Sequence, residues 1–272
     1  MRHKRLVFSS SGAIESQNDS AVSRWAEQGC ISCRAAPRSS TSVMCQPCYN
    51  SAMRLAPFII KVPEDHATYK SVETQFQQSW RHNTTCPAVK AVYKIICTKA
   101  SLDKYQRYLD DVEFRGNFLA KESSRGNERR RWHGTKRKCY IGDQGNTRFC
   151  TDSGCSLCRI IQKSFDIKLF KKSTGWGRFG AGIYTSSTSS KSNDYSKNIG
   201  ISSDWKALLL NKVVVGNGKK LTQDDPSLKK PPGRHDSVLA EVVPGGSLNY
   251  DELVVYKNEA VRPSYLVMYK SP

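Results

Sequence analysis

The amino-acid sequence predicts an α+β domain with a small metal-binding module at its amino-terminal end. Three observations carry this prediction: helical periodicity alternates with short strand-like apolar runs, no repeat or heptad pattern is present, and cysteines cluster early in the chain. With 272 residues and 38% hydrophobic content, the chain can build one large packed core and a small appendage.

Composition shifts divide the chain into three segments. Residues 1–24 are polar and rich in serine, which predicts a flexible tail. Residues 25–60 hold the first cysteines and are predicted to form a zinc-binding module. Residues 61–272 show the alternating helix and strand patterns of the large domain.

The first elements of the large domain are two helices separated by a strand. The stretch DHATYKSVETQFQQSW places apolar residues at helical spacing, with Asp65 as the expected cap: Tyr69, Val72, Phe76 and Trp80. AVKAVYKIICT, residues 88–98, is typical of a strand. LDKYQRYLDDVEF then returns to helical spacing.

Three later runs are predicted to be strands: ALLLNKVVVG, LVVYKN and SYLVMYK. The last two are separated only by the short segment EAVRP. We therefore expect them to pair as neighbours.

The first cysteine cluster has the spacing of a structural zinc site. Two CxxC pairs lie eleven residues apart and can present four thiolates to a tetrahedral ion: Cys30, Cys33, Cys45 and Cys48. A zinc ion here would replace the hydrophobic core that so short a segment cannot build. The alternative is four reduced thiols in a loop.

A second cluster is looser, since only its last pair has the CxxC form: Cys139, Cys150, Cys155 and Cys158. The polar, glycine-containing segment IGDQGNTRF separates its first two cysteines, as expected of a loop held by a metal. We predict a second structural zinc, making one or two in the chain. The alternative is that Cys155 and Cys158 pack within a helix, SLCRIIQKSF.

Charge and cysteine usage limit the classes of partner and compartment. Lys and Arg outnumber Asp and Glu by 43 to 24, so the net charge of +19 favours partners that carry phosphate or carboxylate. No segment has the length and apolarity of a signal-peptide core or a membrane span, which predicts an intracellular protein, cytoplasmic or nuclear, without a membrane partner. The run ERRRWHGTKRK suggests contact with the pyrophosphate of a ligand, contact with DNA or RNA, or only a solvated rim.

Several short motifs are weak alone but follow one another in a recognisable order. His133 in WHGT taken singly is most simply a core histidine, and Tyr184 and Tyr195 are simply core aromatics. GRFGAG lacks the spacing and the βαβ context of a dinucleotide fingerprint. The ordered set is His-Gly-Thr, Gly-Ile-Tyr, Ser-Lys-Ser, a second tyrosine and a late glutamate: His133, Tyr184, Ser190 to Ser192, Tyr195 and Glu252.

This set resembles the catalytic domain of the poly(ADP-ribose) polymerase family, the diphtheria-toxin-like ADP-ribosyltransferases. The resemblance covers about residues 65–272 and includes PPGRHDSV and NYDELVVY. It implies the ADP-ribosyltransferase fold, in which mixed, mainly antiparallel split β-sheets carry flanking helices. The cysteine-rich segment between the histidine and tyrosine motifs is unusual in position, because zinc-binding members of the family carry theirs after the tyrosine motif.

The resemblance also implies NAD⁺ as co-substrate and a role for each motif residue. The family places the acid two positions after a tyrosine, which selects Glu252 over Asp251. His133, Tyr184 and Glu252 form the implied catalytic set. The implied NAD⁺-binding residues, which share two members with that set, are His133, Gly134, Thr135, Tyr184, Ser192 and Tyr195.

The proposed contacts follow the chemistry of each group. Two tyrosines can stack on the nicotinamide ring, while the Gly134 backbone and the Ser192 hydroxyl match the donor and acceptor of its carboxamide. His133 is expected to donate a hydrogen bond to the adenosine ribose. Glu252 is expected to bind the other ribose and to stabilise a cationic sugar.

The function expected from this resemblance is transfer of ADP-ribose from NAD⁺ to a protein or nucleic-acid acceptor, with release of nicotinamide. The segment before WHGT is most similar to the smaller members that transfer single units rather than chains. Hydrolysis of NAD⁺ at the same site is the enzymatic alternative. A zinc-containing binding module without activity is the other alternative.

Overall fold

The protein forms two main β-sheets and one two-stranded sheet, flanked by helices, as a computed structural model shows for residues 27–40, 42–169 and 177–270. The predicted tail, residues 1–24, lies outside these described residues. The helices within them are α1 (Gln46–Leu55), α2 (Ala67–Gln78), α3 (Lys99–Gly116), α4 (Ser156–Lys163) and α5 (Ser189–Tyr195). Short 3₁₀ turns lie at Leu119–Lys121, Arg125–Asn127, Asp143–Gly145, Ile167–Leu169 and Asn258–Ala260.

The strands form three sheets that we name by size: a large sheet of five strands, a middle sheet of four and a small sheet of two. They are β1 (Phe58–Lys61), β2 (Val89–Ile96), β3 (Glu128–Gly134), β4 (Lys136–Arg137), β5 (Ile183–Thr185), β6 (Lys197–Asn198), β7 (Trp205–Val214), β8 (Gly218–Leu221), β9 (Ser237–Ala240), β10 (Glu252–Val255) and β11 (Val261–Lys270). The large sheet has the order β1-β2-β11-β7-β3 and is antiparallel throughout. The middle sheet has the order β5-β10-β9-β8, in which only β8 and β9 are parallel.

The predicted fold class is confirmed, because the sheets are mixed, mainly antiparallel and flanked by helices. One apolar core fills the space between the large and middle sheets, where Leu209 and Met268 of the large sheet meet Leu253 of the middle one. A second core covers the opposite face of the large sheet, where Trp132 packs with Phe76 of α2. The large sheet is therefore buried on both faces, as its apolar strands β2, β7 and β11 require.

The expectation that LVVYKN and SYLVMYK pair is wrong. β10 lies between β5 and β9 in the middle sheet, whereas β11 lies between β2 and β7 in the large sheet. Both edges of each strand are thus occupied by other partners. The 3₁₀ turn at Asn258–Ala260 carries the chain from one sheet to the other, and Val261 to Pro263 already belong to β11.

The first predicted helix and its neighbours are present, with one change at the cap. α2 carries Tyr69, Val72 and Phe76 on its buried face, but its cap is His66 rather than Asp65. The His66 Nδ1 atom accepts from the Thr68 amide at 3.0 Å. Asp65 lies one residue too early for this geometry and forms an ion pair with Arg34 instead.

The early cysteine-rich segment packs directly on the large domain. Ile31 and Met44 are buried in the same core as Phe76, and the His66 Nε2 atom lies 3.0 Å from the Gly29 carbonyl. Residues 58–61, at the predicted boundary of the module, form β1 and pair with β2. The boundaries 25–60 and 61–272 stay predictions.

No helix among the described residues is long and apolar enough to cross a membrane. The intracellular location stays a prediction.

Candidate active site

All the candidate catalytic and NAD⁺-binding residues line one cavity of about 970 Å³ between the large and middle sheets. They come from β3, β5, α5 and β10, and from the residue that follows β3: His133, Gly134, Thr135, Tyr184, Ser192, Tyr195 and Glu252. Motifs separated by more than a hundred residues in sequence therefore meet at one place. The volume is within the range of pockets that hold a small molecule or cofactor.

The large and middle sheets join at the edge of this cavity. The amide of Trp132 donates to the Ser186 carbonyl at 2.8 Å, and the amide of Ser186 donates back at 3.0 Å. This bridge places the end of β3 beside the end of β5. Gly134, two residues after Trp132, lies so close to α5 that a methyl group on it would overlap the Ser192 carbonyl oxygen. The glycine of the His-Gly-Thr motif is thus required by the approach of α5.

The imidazole of His133 is held in one tautomer by the backbone of the tyrosine motif. Its Nδ1 atom lies 2.9 Å from the Tyr184 carbonyl, which can only accept, so Nδ1 carries the proton. Burial lowers the pKa of His133, and the neutral ring is favoured. Nε2 is then an acceptor, which reverses the direction of the hydrogen bond expected from the sequence.

Tyr184 is fixed at both ends. Its backbone lies in β5, paired with Val254, and its hydroxyl accepts from the Phe179 amide at 3.0 Å and donates to the Gly180 carbonyl at 2.7 Å. Gly180 adopts a positive φ of 68° and abuts the Leu228 backbone, where a side chain would collide. The glycines before the tyrosine therefore form a tight turn, and this turn immobilises the Tyr184 ring.

Glu252 begins β10 and is 9% exposed, so its carboxylate lies inside the cavity. Its Oε1 atom lies 2.8 Å from the Nζ atom of Lys191. Its Oε2 atom is buried and has no hydrogen-bond partner within the described residues. One oxygen is thus neutralised by a lysine, and the other is available for a ligand group.

The neighbouring acid, Asp251, has a structural role that separates it from Glu252. Its Oδ1 atom accepts from the Ser186 hydroxyl at 2.9 Å and from the Ser187 hydroxyl at 2.8 Å, and Oδ2 accepts from the Ser187 amide at 3.0 Å. Thr188 approaches Oδ1 at 3.3 Å. Because the Asp251 carboxylate is bound by this turn, Glu252 is the one of the two acids that faces the cavity.

The hydroxyl residues between the two tyrosines therefore fix the loop, a role that sequence reasoning did not find. Thr185 donates to the Leu253 carbonyl at 3.1 Å, and Ser189 donates to the Phe76 carbonyl at 2.8 Å. Ser190 accepts from the Arg81 amide at 2.9 Å. These bonds tie the loop to β10 and the start of α5 to α2 and the residues just after it.

The opposite wall of the cavity was also absent from the sequence interpretation. It consists of α4 and the residues that follow it, among them Arg159, Lys163 and Phe165. The Phe165 ring meets the His133 ring edge-on, with centroids 5.1 Å apart and an interplanar angle of 87°. The only signal in the sequence was that this amphipathic helix begins within the CxxC of the second cluster.

The first cysteine cluster has the geometry of a tetrahedral metal site. The four sulfur atoms lie within 4.8 Å of one another, and those of Cys33 and Cys45 are 3.9 Å apart. Sulfurs bound at the usual Zn–S length of about 2.3 Å would be about 3.8 Å apart. Although burial raises the pKa of Cys30, backbone hydrogen bonds from Cys33, Cys45 and Ser32 bring it down to about 7, which favours a thiolate.

The second cluster meets the same geometric test. Its four sulfurs also lie within 4.8 Å of one another, with Cys139 at 3.9 Å from Cys155 and 3.5 Å from Cys158. Hydrogen bonds from the thiols of Cys139 and Cys158 lower the pKa of Cys155. None of the ten cysteines forms a disulfide. Both donor sets fit zinc, and the packing of Cys155 and Cys158 at the start of α4 is compatible with binding it.

The basic run around His133 separates into different environments. Arg137 is buried and donates to Asp143 at 2.6 Å, so it stabilises the fold. Lys138 forms an ion pair with Asp152 at 2.9 Å. Within the run, Lys136 lines the cavity, whereas Arg130 faces α2 on the other side of the sheet. The run is therefore not a single binding surface.

Known proteins of similar sequence support the resemblance that the motifs indicate. The profile of the poly(ADP-ribose) polymerase catalytic domain matches residues 149–242. Two curated relatives are the protein mono-ADP-ribosyltransferase PARP3 of Mus musculus, 29% identical over 173 residues, and that of Homo sapiens, 27% identical over 173 residues. The resemblance to the poly(ADP-ribose) polymerase catalytic domain is confirmed. Each alignment covers 63% of this chain but 26% of the relative, so the chain spans about a quarter of the relatives' length.

The poly(ADP-ribose) polymerase match includes the tyrosine half of the site. Tyr184, Ser192 and Tyr195 fall within residues 149–242. His133 and Glu252 lie outside the matched residues, and it is the structure that brings them into the same cavity.

Proposed function

We propose that the protein cleaves NAD⁺ and transfers its ADP-ribose unit to an acceptor, releasing nicotinamide. The observation that carries this proposal is the buried carboxylate of Glu252, which leaves Oε2 without a partner inside a cavity lined by His133 and two tyrosines. A buried, unpaired acceptor of this kind is costly unless a ligand completes it. The poly(ADP-ribose) polymerase match and the relatives named as mono-ADP-ribosyltransferases support the same chemistry.

In this proposal the end of β3 and α5 bind the nicotinamide. The Gly134 backbone and the Ser192 hydroxyl would form hydrogen bonds with the carboxamide. Gly134 ends β3 and is in direct contact with α5, which carries Ser192. Tyr184 and Tyr195 provide aromatic faces for stacking. Nε2 of His133 accepts a hydrogen bond from a hydroxyl of the adenosine ribose, as its tautomer requires.

Glu252 acts on the reacting sugar. Cleavage breaks the bond between the ribose C1′ atom and the nicotinamide nitrogen, whose electron pair leaves with the ring, and the sugar becomes oxocarbenium-like. The unpartnered Oε2 atom would accept from a ribose hydroxyl and place negative charge beside the cation. The acceptor's lone pair then forms the new bond to C1′, and its proton is lost to solvent or to the carboxylate.

We propose transfer of a single ADP-ribose unit, to a protein side chain or a nucleic-acid group. The similarity to PARP3, named as a mono-ADP-ribosyltransferase, favours single units. Hydrolysis, with water as the acceptor, uses the same donor residues and is the alternative.

We propose a structural zinc ion at each cysteine cluster. Four thiolates leave no open coordination position, so neither ion takes part in bond cleavage. The first ion would hold the cysteine module against α2. The second would hold the start of α4, which forms a wall of the NAD⁺ site.

The test is to incubate the purified protein with NAD⁺ labelled in its adenylate half, with and without cell protein, DNA and RNA. Free nicotinamide and bound label are both measured. Transferred label in one acceptor class supports transferase activity and identifies the class. Nicotinamide release without transferred label supports hydrolysis, and no consumption of NAD⁺ in any mixture contradicts both.

A further inference from the structure

A second cavity, of about 600 Å³, lies near the same edge of the large sheet as the candidate NAD⁺ cavity, on the opposite face. We call it the polar cleft. It lies between α2, β3 and the turn after β5, and its lining residues are Lys70, Ser71, Thr74, Gln75, Gln78, Ser79, Arg81, Arg130, Ser187 and Thr188. The lining contains three cationic side chains, several hydroxyl and amide groups, and no carboxylate. This composition favours an anionic ligand.

Arg130 supplies the strongest indication of a ligand. Its Nη1 atom donates to the Ser71 hydroxyl at 3.2 Å, but its Nε and Nη2 atoms are buried without a partner within the described residues. Those two donors point in parallel from one planar group, the arrangement that binds two oxygens of a phosphate. Arg34 and Arg137 each pair with an aspartate, whereas Arg130 has no carboxylate partner within the described residues.

The cationic residues of the cleft are spread along α2. Lys70 adjoins Ser71, the residue that Arg130 contacts, and both lie in the first half of α2. Arg81 lies just after the opposite end of α2. Positive charges thus follow one another along the surface, which suits a ligand with repeated negative charges better than a single phosphate.

We propose that the polar cleft binds the phosphodiester backbone of a nucleic-acid strand. The guanidinium of Arg130 takes one phosphate, and Lys70 and Arg81 take its neighbours. The contacts are to the backbone, so binding depends on salt and little on base sequence. The net charge of +19 strengthens the initial association.

The position of the cleft links this binding to the NAD⁺ cavity. Ser186 lines the cavity, and the next two residues, Ser187 and Thr188, line the cleft. The same turn holds Asp251, the neighbour of Glu252. A strand in the cleft is therefore separated from the candidate catalytic carboxylate by one turn of the chain. Binding itself does not depend on the proposed NAD⁺ chemistry.

The test uses fluorescence anisotropy with a labelled single-stranded oligonucleotide, as DNA and as RNA, across a range of salt. Two variants change the cleft: Arg130→Gln, and Lys70→Ala combined with Arg81→Ala. The matched control removes two exposed charges from α3, by Lys104→Ala combined with Arg107→Ala. Circular dichroism establishes that each variant is folded, and nicotinamide release is measured in parallel.

We expect the double cleft variant to bind about tenfold more weakly, with a salt slope smaller by about 1.4, because each single-strand phosphate contact contributes about 0.7. The control should keep the wild-type slope, and nicotinamide release should be unchanged in every variant. Equal losses in the cleft and control variants would overturn the proposal, as would absence of binding by the wild type. Displacement of the oligonucleotide by an equal concentration of a phosphoserine peptide would also overturn it, in favour of a phosphoprotein ligand.

Discussion

The Nζ atom of Lys191 lies 2.8 Å from the Oε1 atom of Glu252 and also donates to the carbonyls of Tyr250 at 3.1 Å and Asp251 at 3.2 Å. One ammonium thus holds three consecutive residues at the start of β10. The lysine of the Ser-Lys-Ser motif, which had no assigned contact in the sequence, fixes the position of the candidate catalytic carboxylate. It also makes burial of that carboxylate tolerable, because a buried charge needs a partner.

Replacement of Lys191 should therefore impair the reaction through Glu252. In Lys191→Met the carboxylate loses its partner and the start of β10 loses two hydrogen bonds, so we expect nicotinamide release to fall by about tenfold to a hundredfold. Lys191→Arg, which keeps the charge, should retain more activity. Steady-state assays should place the loss in kcat rather than KM. Equal activity of Lys191→Met and wild type would contradict this role.

Asp251 should matter for stability. Its carboxylate accepts from Ser186, Ser187 and Thr188, so Asp251→Ala leaves several donors unsatisfied and should lower the free energy of unfolding by about 1–3 kcal/mol. Denaturant titration measures the change. Asp103→Ala is the matched control, because among the described residues Asp103 forms only an exposed ion pair with Lys99, and its loss should cost about 0–1 kcal/mol. A larger loss in the control than in Asp251→Ala would show that the turn does not depend on this acid.

The pH dependence of NAD⁺ binding should follow the neutral state of His133. Burial lowers the pKa of His133 below its ordinary value of 6.5, so the folded protein takes up this proton less readily than the unfolded chain. The contribution of His133 to stability is complete above pH 6.5 and is lost as the pH falls towards the lower, folded-state pKa. Likewise the Nε2 atom of His133 stays unprotonated, and able to accept a hydrogen bond, down to pH 6.5; it takes up a proton only below that pH.

Calorimetric titration of NAD⁺ at several pH values checks this expectation. The affinity should be constant from about pH 8 to pH 6.5 and should fall below that range. In His133→Asn the remaining affinity should not show this fall. An affinity that rises as His133 becomes protonated would mean that the ring donates from Nε2, as first expected from the sequence.

The two cysteine clusters should differ in their effect on the NAD⁺ site. Cys158 lies in α4, beside Arg159 of the cavity wall, whereas Cys48 lies in α1, outside the cavity lining. Cys158→Ser and Cys48→Ser should each remove one zinc ion, as measured by metal analysis. Only Cys158→Ser should also weaken NAD⁺ binding, by about tenfold. Without the zinc ion, NAD⁺ would have to order α4 on binding, and this ordering costs binding free energy. Equal affinity in both variants would contradict the link, and fewer than one zinc per wild-type chain would contradict both metal sites.

The sequence predicted those parts of the fold that depend on local periodicity. The apolar run in residues 88–98 and the helical spacing from Leu102 to Val112 were enough to identify β2 and α3. The partners of β10 and β11 were not predictable, because an apolar run indicates that a strand is buried without indicating in which sheet it lies. Similarly, a carboxylate near a helix start suggests a cap, but the backbone angles decided for His66 over Asp65.

The same distinction applies to the site. The motif order was sufficient to group His133, Tyr184 and Glu252, which do meet in one cavity. The role of Ser186 and Ser187 could not be predicted, because the acid that they bind lies more than sixty residues later. Phe165 was also missed, since an aromatic residue after a helix carries no sign of which histidine it will contact.

The most direct test of the account is nicotinamide release by Glu252→Gln at saturating NAD⁺. The substitution keeps the size of the side chain and removes the charge placed beside the developing cation. We predict that the rate falls by about a hundredfold to a thousandfold, the usual effect of one preorganised electrostatic group, while NAD⁺ still binds. A rate equal to that of the wild type would contradict the assignment of Glu252 and, with it, the proposed use of this cavity.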